Sequence, residues 1–328
     1  MKLEILGYNI CDSKRLYSCV LCQRRNGLKN EAIRHHYIPQ FILKNFCFND
    51  KGKVYYYEKM KNGFSIKDTC NVFMEKNLYR DEINTDGNPT KVETDLSLLE
   101  REASRIIKDK LLGENEFVIR REENEVLKLF FAVMGFRSPR VRKSFVRQSQ
   151  KHSESIFSDY QIDGNLEDFW KRNLGYLVNC RTLKDVIDHP HIDDPIKMFF
   201  IRDTCGFMGL YFAVAEKRGM EAFVIGDAYP VQLNGTFLNG SPLHIYSVFP
   251  ISPDRVVFLV EHMAENFILK EHHGIRPCVV KSPKFNFDKS CAIRVKKMYD
   301  DEVKYINNMI IKESTIGYIS KTETKIDL

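Results

Sequence analysis

Residues 34–46, Arg34-His35-His36-Tyr37-Ile38-Pro39-Gln40-Phe41-Ile42-Leu43-Lys44-Asn45-Phe46, press two imidazoles against a dense apolar pattern. Pro39 has the fixed φ that suits the first position of a helix, and it biases Ile38 towards extended backbone. Beyond it, Phe41, Ile42, Leu43 and Phe46 cover one side of a short helix while Lys44 and Asn45 project elsewhere. The stretch therefore predicts a fixed corner at the entrance to the fold, presenting His35 and His36 as one wall of any site.

Working outward, Lys53–Glu58 and Gly63–Ile66 read as two strands joined by a turn containing Asn62-Gly63, a hairpin signal. From Val92 to Leu112, the residues Leu96, Leu99, Ala103, Ile106, Ile107 and Lys110 recur at helical spacing, with Glu93, Asp95, Glu100 and Glu102 placed to suit the helix dipole. Glu122–Phe136 is apolar around nearly its whole cylinder, which predicts a helix through the core that delivers Arg137 to the edge of the buried face. A guanidinium there must find a carboxylate, carbonyls or a bound anion. Ser138-Pro139 is a cap and first-turn signal for a further helix.

Leu166–Asp188 and Pro195–Arg218 read as two more helices. Ala222–Ile225, His244–Pro250 and Arg255–Val260 are short β-branched and aromatic runs between turn residues. Asp300 to about Ser314 closes the pattern as a helix. The expected class is α+β: a helix-rich centre with an N-terminal β-hairpin and a small C-terminal antiparallel sheet. The expected division is a cysteine-containing appendage over residues 1–33, one α+β domain over 34–320, and a frayed tail over 321–328.

The 328 residues are 43% hydrophobic and 12% aromatic, enough for a well-filled core. A net charge of +6 permits phosphate-rich partners without demanding them. Nine scattered cysteines, an odd number, suit reduced thiols in the cytoplasm. No run approaches the roughly 18 apolar residues that cross a bilayer, so a membrane partner is not expected.

Three features carry candidate chemistry. Cys19-Val20-Leu21-Cys22 has the spacing that lets two thiolates share a structural zinc ion, with Cys11 and His35 or His36 as further ligands, although no second paired knuckle follows. Arg140, Lys143, Arg147 and Lys151 share one helix face and, with Arg137 and the amides beyond Ser138, form a candidate phosphate-binding stripe; a solvated face is the plainer reading. Asp227 follows the strand-like Phe223-Val224-Ile225 and precedes Tyr229-Pro230, where a carboxylate either serves a site or caps a turn.

The pieces His36-Tyr37-Ile38-Pro39-Gln40-Phe41 with Leu43-Lys44-Asn45-Phe46, then Arg137-Ser138-Pro139, then Phe223–Val231, and Pro250-Ile251-Ser252-Pro253 resemble, in that order, a bacterial family catalogued as domain of unknown function 4238. The resemblance spans about residues 34–315 and implies a soluble bacterial protein without an assigned reaction. That family's usual Ser before the Asp and Asn after it are Gly226 and Ala228 here.

Charge suggests the functional expectation. His36, with His35 as substitute, acts as general base or metal ligand, Asp227 holds a divalent ion or orients the imidazole, and Arg137 grips a phosphate. The expected activity is nucleic-acid-directed phosphodiester hydrolysis. The rival is a non-catalytic nucleic-acid- or protein-binding scaffold with a buried His36–Arg137–Asp227 network, in which His36 is pinned between a carbonyl and a carboxylate. Arg147 and His152 also resemble the Arg-x4-His pair of helical HEPN ribonucleases, with Gln148 departing from that motif.

Overall fold

The computed structural model describes residues 34–84, 87–146, 166–202, 211–236, 242–260 and 290–323. Strand β1 (Arg34–His36) opens it and pairs antiparallel with β4 (Met74–Lys76), which sets His35 opposite Glu75. Pro39, at φ −57° and ψ 140°, stands one residue before helix α1 (Gln40–Lys44) as its cap. Ile38, Ile42, Leu43 and Phe46 are completely buried, so the apolar half of the corner is core, as its pattern predicts.

The predicted hairpin forms from β2 (Lys53–Glu58) and β3 (Gly63–Asp68), with Asn62 in the left-handed region at φ 49°. The helix-rich centre follows. Helix α2 (Lys91–Ile106) buries Val92, Leu96, Leu99, Ala103 and Ile106, and widens into a π-helical turn at Ile107–Leu111. Strand β5 (Glu116–Arg120) leads into α3 (Arg121–Phe136), and α4 (Pro139–Val146) follows a two-residue break. Beyond lie α5 (Leu166–Leu177), α6 (Leu183–Asp188) and α7 (Asp194–Arg202).

Two expected helices are corrected. Leu166–Asp188 is interrupted because Thr182 starts a new helix: its Oγ1 accepts the Asp185 amide at 3.1 Å, and the Asp185 carboxylate accepts the Thr182 amide at 2.8 Å. Of the helix expected over 195–218, Asp194–Arg202 is helical, but Tyr211–Lys217 is a strand, β6. Ala213, Val214 and Ala215 are all buried, and a short continuous apolar run gives no period by which to separate helix from strand.

Strand β6 belongs to a five-stranded sheet of order β12-β6-β10-β9-β8, built from β8 (Val231–Thr236), β9 (Pro242–Pro250), β10 (Arg255–Val260) and β12 (Lys296–Met298). It is antiparallel except where β12 runs parallel to β6. Ala222–Val224 lie outside it: Asn307 of α8 (Asp300–Glu313) engages the backbone of Ala222 and Val224, and the Phe223 amide donates to the Pro253 carbonyl. The Asn307 side chain accepts the Val224 amide at 3.1 Å and donates to the Ala222 carbonyl at 2.8 Å.

Only β7 (Ile225–Gly226) of that run pairs, in a second sheet of order β3-β2-β13-β7, where β13 (Gly317–Ser320) lies between the N-terminal hairpin and β7. Strand β11 (Ser290–Arg294) pairs with β5. Neither β5, β11 nor β13 is foreseen from the sequence. Mixed helices and antiparallel sheets make the class α+β. Among the described residues no helix is long and apolar enough to cross a membrane.

Candidate acid–base site

The two neighbouring histidines are held in opposite tautomers. Nδ1 of the fully buried His35 accepts the Tyr79 amide at 2.8 Å, so the proton of the neutral ring sits on Nε2. The His35 ring stacks on Tyr79 at 5.4 Å between centroids, nearly parallel. Tyr79 in turn donates its hydroxyl to the His36 carbonyl at 3.3 Å, clamping β1 from both sides.

His36 points the other way. Its ring bonds with the backbone of Thr69 and Cys70 in the sense that favours the protonated ring, so a ring N–H donates to a carbonyl; since Nε2 has no partner, that donor is Nδ1. Nε2 therefore carries a buried lone pair without a hydrogen-bond partner. Burial pulls the His36 pKa down to about 4, the Thr69 carbonyl resists, and the Arg137 guanidinium pushes further down. Burial, with Arg80, brings His35 to about 4 as well. Both rings are neutral at physiological pH.

Arg137 caps the C-terminal end of α3, where the helix delivers it only 1% exposed. Its Nη2 lies 2.7 Å from Oε1 of Glu100 and 3.0 Å from the Met134 sulfur, and its guanidinium lies 5.9 Å from the centre of the Tyr79 ring. Its Nε has no partner. Of five buried side-chain nitrogen and oxygen atoms left unpaired among the described residues, three belong to His35, His36 and Arg137. Unpaired buried groups are costly, so each of these atoms marks a place where a further polar partner or a water belongs.

Sequence reading did not single out a candidate acid beside Arg137. Glu93 and Glu100 stand seven residues apart on α2, hence on one face, and both act on Arg137. One guanidinium neutralises one carboxylate. Burial first, and the charge of Glu100 second, raise Glu93 to about 7 against the pull of Arg137. Two acids at heptad spacing beside a buried stripe were the available signal; the dipole explanation concealed it.

The other expected site residues are placed differently. Asp227 is buried and its carboxylate accepts the amides of Thr315, Ile316 and Gly317 at 3.0–3.1 Å and the Thr315 hydroxyl at 2.7 Å. That is the turn-capping role, holding the entry to β13. A Cβ at Gly226 would fall on the Ser314 hydroxyl, which accounts for glycine before this Asp. Ser138 is buried, its Oγ accepting the Val141 amide at 3.3 Å as a cap.

Arg140 and Lys143 are exposed on α4, Arg140 pairing with Glu313 at 3.3 Å, while Arg142 is held by Glu75 and Glu167. Arg137 is thus separate from the exposed stripe: it answers to Glu100 rather than to solvent. Cys19 and Cys22, Arg147, Lys151 and His152 lie outside the described residues. Among the described residues no three His, Cys, Asp or Glu side chains gather as a metal site.

A family model described as "Protein of unknown function (DUF4238)" matches residues 34–323. No curated protein and no solved structure matches the chain.

Proposed function

The chain belongs to the DUF4238 family, and from that premise we propose that it is a phosphodiester hydrolase directed at nucleic acid, working by acid–base chemistry at His36 and Glu93. The observation that carries the reading is the unpaired Nε2 of His36, in a ring whose tautomer is fixed by a backbone carbonyl and whose charge the buried Arg137 guanidinium opposes, while Glu93, which acts on the same guanidinium, holds its proton to about pH 7. Two titratable groups pushed in opposite directions are how acid and base roles are divided. His36 accepts the nucleophile's proton, Glu93 supplies one to the leaving oxygen, and Arg137 favours the charge that develops on phosphate.

A base near pKa 4 is weak in the free protein. An incoming phosphate anion offsets the charge of Arg137 and raises His36 towards neutrality, so the base strengthens when substrate is bound. The exposed cations Arg140 and Lys143, on the helix that follows Arg137, support a polyanionic substrate, Arg140 being shared with Glu313.

The scaffold reading is favoured by a separate observation: Asp227 has its carboxylate filled by local donors and Arg137 has its own carboxylate partner, as members of a structural network do. Wild-type protein, His36→Ala and Glu93→Gln, incubated with labelled single- and double-stranded nucleic acid, separate the two. The hydrolase reading expects cleavage by the wild type and losses of about 100-fold or more in folded variants. Binding without cleavage by all three supports the scaffold.

A further inference from the structure

We propose that Gln40 is a positioning residue for His36: its side-chain amide holds the Thr69–Asn71 turn where that turn orients the imidazole. Its part in catalysis rests on the hydrolase reading above, whereas the orientation it sets exists without substrate. Three residues of the Pro39 corner reach this one turn. Arg34 Nη1 donates to Asn71 Oδ1 at 2.6 Å, the His36 ring bonds with the backbone of Thr69 and Cys70, and Gln40 Nε2 donates to the Thr69 carbonyl at 2.8 Å. The Tyr37 amide, donating to the Phe73 carbonyl at 3.1 Å, lays the end of β1 alongside the residues that follow the turn. His36 is thus flanked along the chain by two side chains that grip the segment its own ring uses. Arg34 is exposed, whereas Gln40 is half-buried and Thr69 buried, so the Gln40 bond is the better shielded from competing water.

The turn does not hold itself. It is a 3₁₀ segment of three residues without a side-chain cap, and the Val72 amide closes it on the Thr69 carbonyl at 3.4 Å, long for such a bond. The Thr69 amide is tied to the Gly52 carbonyl at 3.0 Å, and the Thr69 carbonyl is tied by Gln40. Gln40 is itself fixed, because the Pro39 carbonyl accepts the Ile42 and Leu43 amides and so starts α1 at the corner. Only a donor serves at position 40. The Thr69 carbonyl accepts, so an ionised glutamate there would face it with a second acceptor and a methionine with none of the needed N–H. With the backbone acceptor in place the neutral ring keeps its proton on Nδ1 and its lone pair on Nε2; once the turn shifts, that preference is lost.

The test compares wild-type protein with Gln40→Met, which keeps the length of the side chain and removes the donor. Ring ¹⁵N spectra at pH 7 read the tautomer of His36, and kcat/KM for nucleic-acid cleavage reads its use. The wild type should show an unprotonated Nε2. Gln40→Met should show Nε2 partly protonated, with cleavage slowed by about 10- to 100-fold. A merely structural glutamine would leave the tautomer unchanged.

A folded Gln40→Met whose His36 keeps the proton on Nδ1 alone overturns the proposal, as does a wild type with the proton on Nε2. A wild type that cleaves no nucleic acid, combined with a tautomer that shifts in Gln40→Met, overturns the hydrolase reading and supports Gln40 as the residue that orients His36. Should Gln40→Met fail to fold, the wild type decides. An unprotonated His36 Nε2 together with slowed hydrogen exchange of the Gln40 side-chain amide supports the proposal, and a freely exchanging amide overturns it.

Discussion

Glu100 closes the Arg137 guanidinium with a 2.7 Å ion pair, and Glu93, two turns earlier on the same helix, retains its proton to about pH 7 because burial penalises its charge and Glu100 repels it. The balance of one buried cation against two acids governs both the stability of this corner and its chemistry.

Removing one partner of a buried pair usually costs about 3–5 kcal/mol, since the other charge is stranded. In Glu100→Gln the loss should be smaller, about 1–3 kcal/mol, because Glu93 then ionises and takes over Arg137. Urea unfolding of Glu100→Gln, Glu93→Gln and the double variant measures it; the double variant should lose more than the sum of the singles.

Glu93 also sets a pH dependence. Its carboxyl is raised to about 7 in the folded protein, so between the ordinary value near 4.5 and 7 the folded state binds more protons than the unfolded one. This group's effect on stability is best below that window and declines as pH rises through 7. Glu93→Gln should therefore melt with the wild type at pH 5 and above it at pH 8, by about 2 °C or more. Equal melting curves at pH 8 would refute the raised carboxyl.

The histidines work in the opposite sense. Both fall to about 4 in the folded protein, so the unfolded chain binds more protons between pH 4 and 6.5, and stability is lost as pH drops through that range. His35→Asn, which keeps an acceptor for the Tyr79 amide, should lose part of this acid sensitivity at small cost near pH 7. His35→Leu strands that amide and should cost about 1–3 kcal/mol at neutral pH, read from denaturant midpoints.

Asp227 is expected to behave as a structural residue. Asp227→Ala leaves the Thr315, Ile316 and Gly317 amides without their acceptor and should destabilise by about 2–4 kcal/mol. Hydrogen exchange at Gly317–Ser320 should accelerate in step, because β13 enters its sheet through that turn.

What the sequence made readable was local. The corner at Pro39, the hairpin at Asn62-Gly63 and the burial of Arg137 follow from φ restriction, turn chemistry and helical period, all of which act over a few residues. What it hid was pairing at a distance. Nothing in the neighbourhood of His35 announces Tyr79, 44 residues away, as the donor to its ring. Arg137 had to find a partner, but its choice of Glu100 depends on how α2 packs beside α3. Asp227 remained ambiguous for the same reason: the amides that fill its carboxylate lie about 90 residues on. Strand β6 escaped because a strand buried on both faces loses the alternation that identifies strands.

The most direct test of the acid–base account is the pH profile of kcat/KM for nucleic-acid cleavage, which reports the groups of the free protein. With His36 near 4 and Glu93 near 7, activity should be highest between those values and fall tenfold per pH unit above 7, and Glu93→Gln should be slow and lack the alkaline limb. A rate that climbs through pH 8, or one that His36→Asn leaves unchanged, would contradict it.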